Sequence, residues 1–321
     1  MSPQRNEEVE LDLLVRRMTW EAEDVLSVEL VRPDGGELPA WTPGAHLDLH
    51  VGAHVRQYSL CSDPADRRAY RIGVLREPSS RGGSAHVHER LRPGQTVRVR
   101  GPRNNFELSP AAPGYLFIAG GIGVTPILAM AREVAARDGV PVRLVHGGRR
   151  RASMAFGEEL RELLGDRVEF VPEDERGRID LDSLSAALDP GTEVYCCGPE
   201  PLLAAVEERF PGARTERFAA PSREGSEASA GEESGFEVVC ARSERTVRVE
   251  AGCSVLRALE EAGIGVPSSC QDGICGTCET KVLEGAVDHR DFLLSDEEKA
   301  AGASMMVCVS RAAGDRLVLD V

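Results

Sequence analysis

The sequence CQDGICGTC spans Cys270 to Cys278, and a further cysteine, Cys308, follows thirty positions after the last of these. The spacing Cys-x4-Cys-x2-Cys with a distant fourth cysteine is the plant-type pattern of a 2Fe–2S cluster. Such a cluster needs four thiolates, and small residues between the ligands let the backbone wrap closely around it. The pattern predicts a 2Fe–2S cluster whose ligands are Cys270, Cys275, Cys278 and Cys308.

Two other interpretations of these cysteines stay open at this point. One is a zinc site, although zinc sites usually pair two Cys-x2-Cys elements and this loop contains one. The other is a chance cluster of small buried cysteines. An odd total of nine cysteines does not indicate a disulfide framework. The remaining five stand among apolar neighbours, at Cys61, Cys196, Cys197, Cys240 and Cys253.

The composition argues against several classes of function. Hydrophobic residues make up 41% of the 321 residues, but no run of about twenty apolar residues occurs, so no transmembrane helix is predicted. The formal net charge of −15 opposes contact with nucleic-acid phosphates and suits a basic protein partner. The segment Met1–Glu10 lacks the basic-then-apolar order of a signal peptide. We therefore expect a cytoplasmic protein that binds neither membrane nor nucleic acid.

The chain divides into three predicted domains and a linker. Residues 219–234 are rich in Ser, Gly, Ala and Glu and contain no large apolar side chain, so we interpret them as a flexible linker. A second boundary falls near Ala111–Gly114, where the pattern of strands changes. The predicted domains are 1–110, 111–218 and 235–321, with the linker at 219–234.

The pattern of apolar residues predicts the fold of each domain. Short alternating runs in the first domain predict an antiparallel β-barrel or sandwich, with a short helix at Ser84–Leu91. An apolar strand at Tyr115–Ala119 begins an alternation of strands and helices, which predicts an α/β parallel sheet. After the linker, a hairpin and a helix at Ser254–Ala262 are followed by chain that we predict to be irregular and cysteine-bearing.

A glycine-rich turn, GIGVTP at Gly121–Pro126, follows the Tyr115–Ala119 strand and opens a helix. Glycines allow the close approach of a pyrophosphate, and a helix N-terminus offers unpaired N–H groups. The turn therefore predicts a nicotinamide-nucleotide site. Its predicted contact residues are Gly121, Gly123 and Thr125.

The last strand of the predicted parallel sheet ends in CCGP, from Cys196 to Pro199. The carboxyl ends of parallel strands are where ligands bind in such sheets. We therefore assign Cys197, Gly198 and Pro199 to the nicotinamide side of the site, with a small core residue as the alternative for Cys197. Cys196 is interpreted as a core residue.

The sequence RQYSL at Arg56–Leu60 lies in a predicted barrel strand, where Arg56 and Tyr58 fall on one face. An arginine can clamp a phosphate, a tyrosine can lie against a flat ring, and Ser59 can hydrogen-bond a ring nitrogen. These residue types predict a flavin site. The alternative is an exposed strand in which Arg56 is an ordinary surface arginine. The RGGS loop before the short helix can add backbone N–H groups to the same phosphate, from Gly82, Gly83 and Ser84.

All these motifs, in this order, resemble the phthalate dioxygenase reductase family, which includes vanillate demethylase reductases. The resemblance spans nearly the whole chain and implies a barrel that binds FMN, a ferredoxin-reductase-like nucleotide domain and a C-terminal α+β ferredoxin domain of the β-grasp type. FMN in place of FAD is an implication of the resemblance alone. The matching segments are RQYSL at Arg56–Leu60, RGGS at Arg81–Ser84, GPRNNF at Gly101–Phe106, GGIGVTPI at Gly120–Ile127, CCGPEPL at Cys196–Leu202, the cysteine loop, and DHRDFLLSDEE at Asp288–Glu298.

The resemblance also implies roles for single residues. The residues implied to hold the flavin phosphate are Arg56, Gly83 and Ser84. Those implied to surround the isoalloxazine ring are Tyr58 and Ser59, with Val74 and Arg76 from the neighbouring strand. Those implied to hold the nicotinamide nucleotide are Gly121, Thr125, Cys197 and Pro199. The residues that we expect to act catalytically, beside the reacting rings, are Tyr58, Ser59 and Cys197.

The sequence HGGRRR at His146–Arg151 follows the second strand of the predicted parallel sheet, where the adenosine ribose of the nucleotide would lie. Three arginines can accommodate the 2′-phosphate of NADPH, or they can form a solvated loop. We expect NADH, with NADPH as the alternative.

The three predicted cofactors suit one task, because NADH gives up two electrons as hydride whereas a 2Fe–2S cluster accepts one. The chain is therefore expected to be the reductase component of an oxygenase system. The expected partner is a Rieske non-haem iron oxygenase or demethylase, with a haem-thiolate monooxygenase as the alternative. From Gly235 onward, 15 Asp and Glu oppose nine Lys and Arg, so an acidic ferredoxin domain is expected to dock the partner.

Two functions of other classes stay open. A redox-sensing iron–sulfur protein is one, although it would need an output module and no residues remain unassigned for it. A flavin reductase with a structural zinc in the cysteine loop is the other.

Overall fold

The computed structural model describes residues 9–52, 54–78, 82–220 and 234–321. The chain separates into two units, Met1–Phe218 and Ala219–Val321. Most of the predicted linker at 219–234, and Arg81 of the RGGS loop, lie outside the described residues. The bounds of the three domains stay predictions. Across the residues described, no helix combines the length and apolar character needed to cross a bilayer.

Six antiparallel strands form the first sheet, because Leu47, Leu49 and Val51 and their counterparts point into one core. The strand order is β4-β3-β6-β1-β2-β5, and a bridge between Leu60 and Ile72 brings the two edges together, which curls the sheet into a barrel. The elements are β1 (Val9–Ala22), β2 (Val25–Val31), β3 (Ala45–Val51), β4 (His54–Ser59), β5 (Tyr70–Leu75), α1 (Gly83–Glu89) and β6 (Thr96–Asn104).

Five parallel strands form the second sheet, in the order β11-β10-β7-β8-β9. Every residue of the central strand is buried, which explains its continuous apolar sequence YLFIAG. The elements are β7 (Tyr115–Gly120), α2 (Val124–Ala135), β8 (Val142–Gly148), α3 (Gly157–Leu164), β9 (Val168–Pro172), α4 (Glu173–Arg176), α5 (Leu181–Ala186), β10 (Glu193–Cys197), α6 (Glu200–Arg209) and β11 (Arg214–Glu216).

One apolar core joins the barrel to the nucleotide-binding sheet. Ala22, Val25 and Cys61 of the barrel belong to the same buried cluster as Phe117 of β7 and Leu128 of α2. The barrel and the sheet are therefore packed directly on each other within the first unit.

The second unit has its own core and a mixed sheet in the order β13-β12-β18-β14-β16. Strands β12 and β18 pair in parallel although about eighty residues separate them. The elements are β12 (Phe236–Cys240), β13 (Arg245–Val249), α7 (Val255–Glu261), β14 (Glu279–Glu284), β15 (Val287–Asp288), α8 (Asp296–Ala301), β16 (Ser304–Met306), β17 (Arg311–Ala312) and β18 (Arg316–Leu319).

The prediction of irregular chain after the Ser254–Ala262 helix is wrong. Five short strands and a helix lie beyond it. Strands of two to six residues give little periodicity, and their pairing depends on contacts with distant segments. Helix α8 does have a local signal, because Ser295 and Glu298 form a reciprocal capping box at its start.

Candidate redox site

Strand β4 carries a row of half-buried side chains, with His54, Arg56 and Tyr58 at alternate positions. The turn before α1 packs directly against this row. A Cβ atom at Gly83 would lie 2.6 Å from Cγ of Arg56, and one at Gly82 would lie 2.7 Å from Nε2 of His54. Larger residues in the turn would displace these side chains, so the two glycines allow the turn to approach Arg56.

The chemistry of this corner suits a phosphate. The guanidinium of Arg56 donates to the backbone oxygen of Val55 at 2.8 Å, and no carboxylate within the described chain is paired with it. The hydroxyl of Ser84, in the first turn of α1, accepts a hydrogen bond from the backbone N–H of Glu77 at 3.2 Å. Guanidinium groups bind phosphate oxygens strongly. The residues present therefore fit the phosphate of a flavin nucleotide.

The positions predicted to surround the flavin ring fall into two groups. Burial raises the pKa of Tyr58 to about 12, so its hydroxyl stays protonated, and Ser59 beside it is buried. Val74 is fully buried in the barrel core, and Tyr58 of the β4 row packs against the same core. Arg76 is exposed and forms an ion pair with Glu89 at 2.7 Å.

The glycine-rich turn after β7 and the end of β10 are in direct contact. A Cβ atom at Gly123 would lie 2.2 Å from the backbone oxygen of Cys197, and one at Gly198 would lie 3.0 Å from the backbone of the glycine that ends β7. Gly121 has φ +55°, and a Cβ atom there would meet nothing within 4 Å. Pro199 is exposed at the same edge. The turn is thus closed toward β10 and open at Gly121, which leaves space for a pyrophosphate.

Thr125 connects this turn to the barrel. Its hydroxyl donates to the backbone oxygen of Ile122 at 3.0 Å. Its methyl group lies 2.7 Å from the place where a Cβ atom of Gly73 would stand, and the ring of Phe156 lies 3.2 Å from the same place. Because Gly73 belongs to β5, the predicted nicotinamide turn touches a strand of the predicted flavin domain.

Glu216 is a candidate functional residue that the sequence analysis missed. The parallel ladder between β10 and β11 pairs it with Cys197, and the thiol lies 3.9 Å from Oε2 of the carboxyl group. Burial, together with the neighbouring carboxyl, raises the pKa of Cys197 well above its ordinary value, so the thiol stays protonated. Burial also raises the pKa of Glu216 to about 8. Only the register of the two strands reveals this pair.

His146, at the end of β8, also contacts the glycine-rich turn. Its Nε2 lies 3.2 Å from the backbone oxygen of Gly121. Burial lowers the pKa of His146 to about 4, so the ring is neutral and donates this hydrogen bond through Nε2–H. The histidine therefore holds the open end of the turn without adding charge.

The cysteine loop packs on the segment that contains DHRDF. Gly273 has φ +74°, and a Cβ atom there would lie 2.6 Å from Cγ2 of Val309 and 3.2 Å from Cα of Asp291. The backbone N–H of Phe292 donates to the backbone oxygen of Gly273 at 3.0 Å. Glycine is required at this point because the loop meets the neighbouring chain without space for a side chain.

The four thiols of the loop and of Cys308 meet as two pairs. Cys270 is hydrogen-bonded to Cys275, and Cys278 to Cys308. Within each pair the shared hydrogen bond lowers the pKa of one thiol, Cys275 or Cys278, and raises the pKa of its partner. A 2Fe–2S cluster requires two thiolates for each iron, so both the donors and their pairing fit it.

Comparisons with known proteins match the chain from end to end. A model of the 2Fe–2S iron–sulfur cluster binding domain matches residues 238–313, and a model of the oxidoreductase NAD-binding domain matches residues 117–208. The phenoxybenzoate dioxygenase subunit beta of Ectopseudomonas oleovorans is 44% identical, over 97% of each chain. A solved phthalate dioxygenase reductase, described as a modular structure for electron transfer from pyridine nucleotides to [2Fe–2S], is 36% identical with a TM-score of 0.71, covering 97% of this chain and 98% of its own.

This chain belongs to the phthalate dioxygenase reductase family. Membership in this family confirms the predicted fold class. It also confirms the prediction that the chain is an NAD(P)H-dependent oxidoreductase with a flavin and an iron–sulfur cluster. The iron–sulfur domain also decides against the zinc alternative for the cysteine loop. The roles of the single site residues stay predictions.

A second solved structure is also similar to this chain. It is an intact type IV self-sufficient cytochrome P450 monooxygenase, 45% identical with a TM-score of 0.89. The match covers 98% of this chain but 41% of the P450 chain, so the present chain spans about two fifths of that protein.

The contact between Gly123 and Cys197 leads to a first prediction. Gly123→Ala places a methyl group against the backbone of β10, so we expect the turn to move and the KM for NADH to rise by about tenfold or more. Gly157→Ala is the control, because its Cβ would make an ordinary contact of 3.5 Å with Phe170. Steady-state kinetics with ferricyanide as acceptor measures both, and equal KM values in the two variants would contradict the prediction.

The raised pKa of Glu216 leads to a second prediction. The carboxyl is neutral below about pH 8 and ionised above it. Because the ring of NAD+ is cationic and that of NADH is neutral, the ionised carboxylate should strengthen NAD+ binding by about threefold or more between pH 7 and pH 9. Product inhibition measured across this range tests it. Glu216→Gln should show no such pH dependence, and retention of the wild-type profile in that variant would exclude Glu216 as its source.

Proposed function

We propose that the chain is the reductase component of a multicomponent oxygenase, and that it passes electrons from NADH by way of FMN and the 2Fe–2S cluster to a terminal Rieske-type oxygenase or demethylase. The observation that carries this proposal is the occurrence of all three sites in one chain that aligns over 97% of its length with a dioxygenase subunit. Bound FMN would exchange electrons in pairs with a nicotinamide and singly with the cluster.

The residues of the first unit act mainly by orientation in this proposal. Arg56, with Gly83 and Ser84, would hold the flavin phosphate, while Tyr58 and Ser59 would lie against the ring. Hydride transfer needs the reacting atoms about 3–3.5 Å apart, and no acid–base step is required for it. The choice of FMN over FAD rests on the family.

On the nucleotide side, the turn from Gly121 to Thr125 would bind the pyrophosphate. Cys197, Gly198 and Pro199 would set the position of the nicotinamide ring. Because the Cys197 thiol stays protonated, it would pack against the ring as a neutral group and would not react with it.

We propose NADH as the electron donor because two of the three arginines after β8 are already paired. Arg150 forms an ion pair with Glu23 at 2.8 Å, and Arg151 forms one with Glu175 at 2.9 Å. The carboxylates offset the positive charge that a 2′-phosphate would require. Arg149 alone is without a carboxylate partner in the described part of the chain, so the gain from NADPH is small.

We infer that the partner docks on the ferredoxin domain around Phe292. This side chain is 42% exposed, although it is large and apolar, and its backbone is bonded to the cysteine loop. The first turn of α8 follows it with three acidic residues, Asp296, Glu297 and Glu298. An apolar anchor beside carboxylates suits a partner surface with an apolar pocket and a basic rim.

A haem-thiolate monooxygenase is the second candidate partner. The 45% identity to part of a self-sufficient P450 favours it. Electron-transfer rates to a purified oxygenase of each class separate the two, and equal rates would remove the preference for the Rieske type. The cytoplasmic location expected from the sequence stays a prediction.

Replacement of one cluster ligand tests the proposed path. In Cys308→Ser we expect NADH-dependent reduction of ferricyanide to persist, because the flavin site is intact, and reduction of cytochrome c to be lost with the cluster. Cys240→Ser is the control, since Cys240 is a buried thiol of the same domain outside the cluster.

Electron spin resonance after dithionite reduction shows whether each variant has lost the 2Fe–2S cluster. A reduced-cluster signal that survives in Cys308→Ser would contradict the ligand assignment. Negligible NADH turnover in the wild-type protein would favour the redox-sensor alternative over a reductase.

The proposed docking surface has its own test. Phe292→Ala should slow electron transfer to the terminal oxygenase by about tenfold or more, with ferricyanide reduction unchanged, because the anchor is lost and the flavin site is not touched. Leu283→Ala is the matched control, because Leu283 is a similarly exposed apolar residue of the same domain. An equal effect of both substitutions on the oxygenase assay would argue against docking at Phe292.

A further inference from the structure

Glu159 joins the barrel to the nucleotide-binding sheet through two arginines. Arg71 of β5 donates to Oε2 of Glu159 at 3.0 Å and also to the second carboxylate oxygen. Arg132 of α2 donates to that second oxygen as well. Side chains of all three residues are three-quarters buried or nearly so. A single carboxylate from α3 therefore binds one cation from each side of the boundary.

Residues around this carboxylate also hold Arg71 in place. Phe156, which precedes α3, is buried with a positive φ of 62°, a conformation that is uncommon for an aromatic residue. Its ring lies 5.3 Å from the guanidinium of Arg71 and packs on Gly73 of β5. Arg71 in turn donates to the backbone oxygen of Cys61 at 2.9 Å.

The charge state of Glu159 is fixed by its partners. Burial acts to raise its pKa, but the hydrogen bonds and charges of Arg71 and Arg132 outweigh burial and lower the pKa below its ordinary value. The ionised carboxylate thus neutralises part of two positive charges that would otherwise face each other across the boundary. Without it, the two guanidinium groups would repel one another in a poorly solvated place.

Glu159 connects two elements that adjoin the predicted ring sites: β5, which carries the predicted flavin contact Val74, and α2, which follows the predicted nicotinamide turn. Arg71 lies two residues before Gly73, which contacts Thr125 of the nicotinamide turn. Arg132 lies on α2, the helix that this turn opens. We propose that Glu159 is a positioning residue for hydride transfer, which holds β5 and α2 at the separation that the flavin and nicotinamide rings require. This inference rests on the proposed function.

Glu169 offers a matched control within the same chain. It also holds two arginines, Arg143 at 3.0 Å and Arg176 at 2.8 Å, but these three residues lie on β8, β9 and α4 of the nucleotide-binding region. Glu159→Gln and Glu169→Gln therefore each remove one carboxylate charge from between two arginines, and the Glu169 cluster is the more exposed of the two. Only the first removes a link between the domains.

The experiment compares the rate of flavin reduction by NADH in single-turnover stopped flow, together with amide hydrogen exchange of the flavin-free protein. We expect Glu159→Gln to slow hydride transfer by about ten- to a hundredfold, because a displacement of about 1 Å is enough for such a loss, with little change in NADH affinity. Exchange should rise in both β5 and α2. Glu169→Gln should match the wild type in both measurements.

The outcomes distinguish the inference from the proposed function. Wild-type rates in Glu159→Gln, or an equal loss in Glu169→Gln, would overturn the positioning role. A wild-type protein that NADH does not reduce would overturn the proposed function, while hydrogen exchange would still report on the link. If Glu159→Gln fails to fold, Arg132→Gln removes one arm of the cluster and should slow hydride transfer severalfold. Wild-type rates in that variant would equally reject the role.

Discussion

Hydride moves between two rings only when they are held within a narrow range of distance and angle, and in this chain most of the residues predicted to bind the two rings lie on different sheets, the barrel and the parallel sheet. The apolar core that runs from Ala22, Val25 and Cys61 of the barrel to Phe117 and Leu128 of the nucleotide-binding sheet meets this constraint. It makes the barrel and the sheet one packed body, so that Thr125 can touch β5. If the barrel and the sheet were joined only by a flexible segment, the contact between Thr125 and β5 would not be fixed.

The sites themselves depend on places where the backbone comes close to other atoms. Gly83 lies against Arg56, Gly123 against Cys197, and Gly273 against Val309. In the first two cases a glycine brings a turn to a predicted binding residue, and in the third it brings the cysteine loop to the neighbour of the predicted ligand Cys308. A side chain at any of these positions would hold the two segments apart. The three sites therefore share one physical device, although the chemistry at each is different.

The predicted nicotinamide site and the ferredoxin unit differ in charge. The sheet edge that we predict to bind the nicotinamide holds a neutral thiol, Cys197, and a neutral imidazole, His146. Of the three groups described there, Glu216 is the one whose pKa lies near physiological pH. The ferredoxin unit instead carries three acidic side chains in the first turn of α8, which follows the exposed Phe292 in sequence. Neutral surroundings suit a transfer of hydride, and a charged surface suits the recognition of a protein.

Local patterns in the sequence were enough for the fold class of the first two domains and for the main motifs, whereas the ferredoxin fold of the last domain followed from the family resemblance alone. The cysteine spacing, the GIGVTP turn and the apolar strand before it each carry their signal within about ten residues, and most strands of the first unit lie where alternation predicts them. Features that depend on distant pairing were missed. Strand β18 is short and is defined by its partner β12, Glu216 matters because of its register with Cys197, and Glu159 looks like any surface glutamate of a helix. Val74 is buried in the barrel core, and its implied contact with the flavin stays a prediction.

The most direct test of the account is a rapid anaerobic mixing experiment with one equivalent of NADH, followed by visible absorbance and by freeze-quench electron spin resonance. The account predicts that flavin absorbance falls first, and that the signal of the reduced 2Fe–2S cluster then rises toward one spin per chain. A cluster signal that appears at the same rate in flavin-depleted protein, or that never appears while the flavin is reduced, would contradict it.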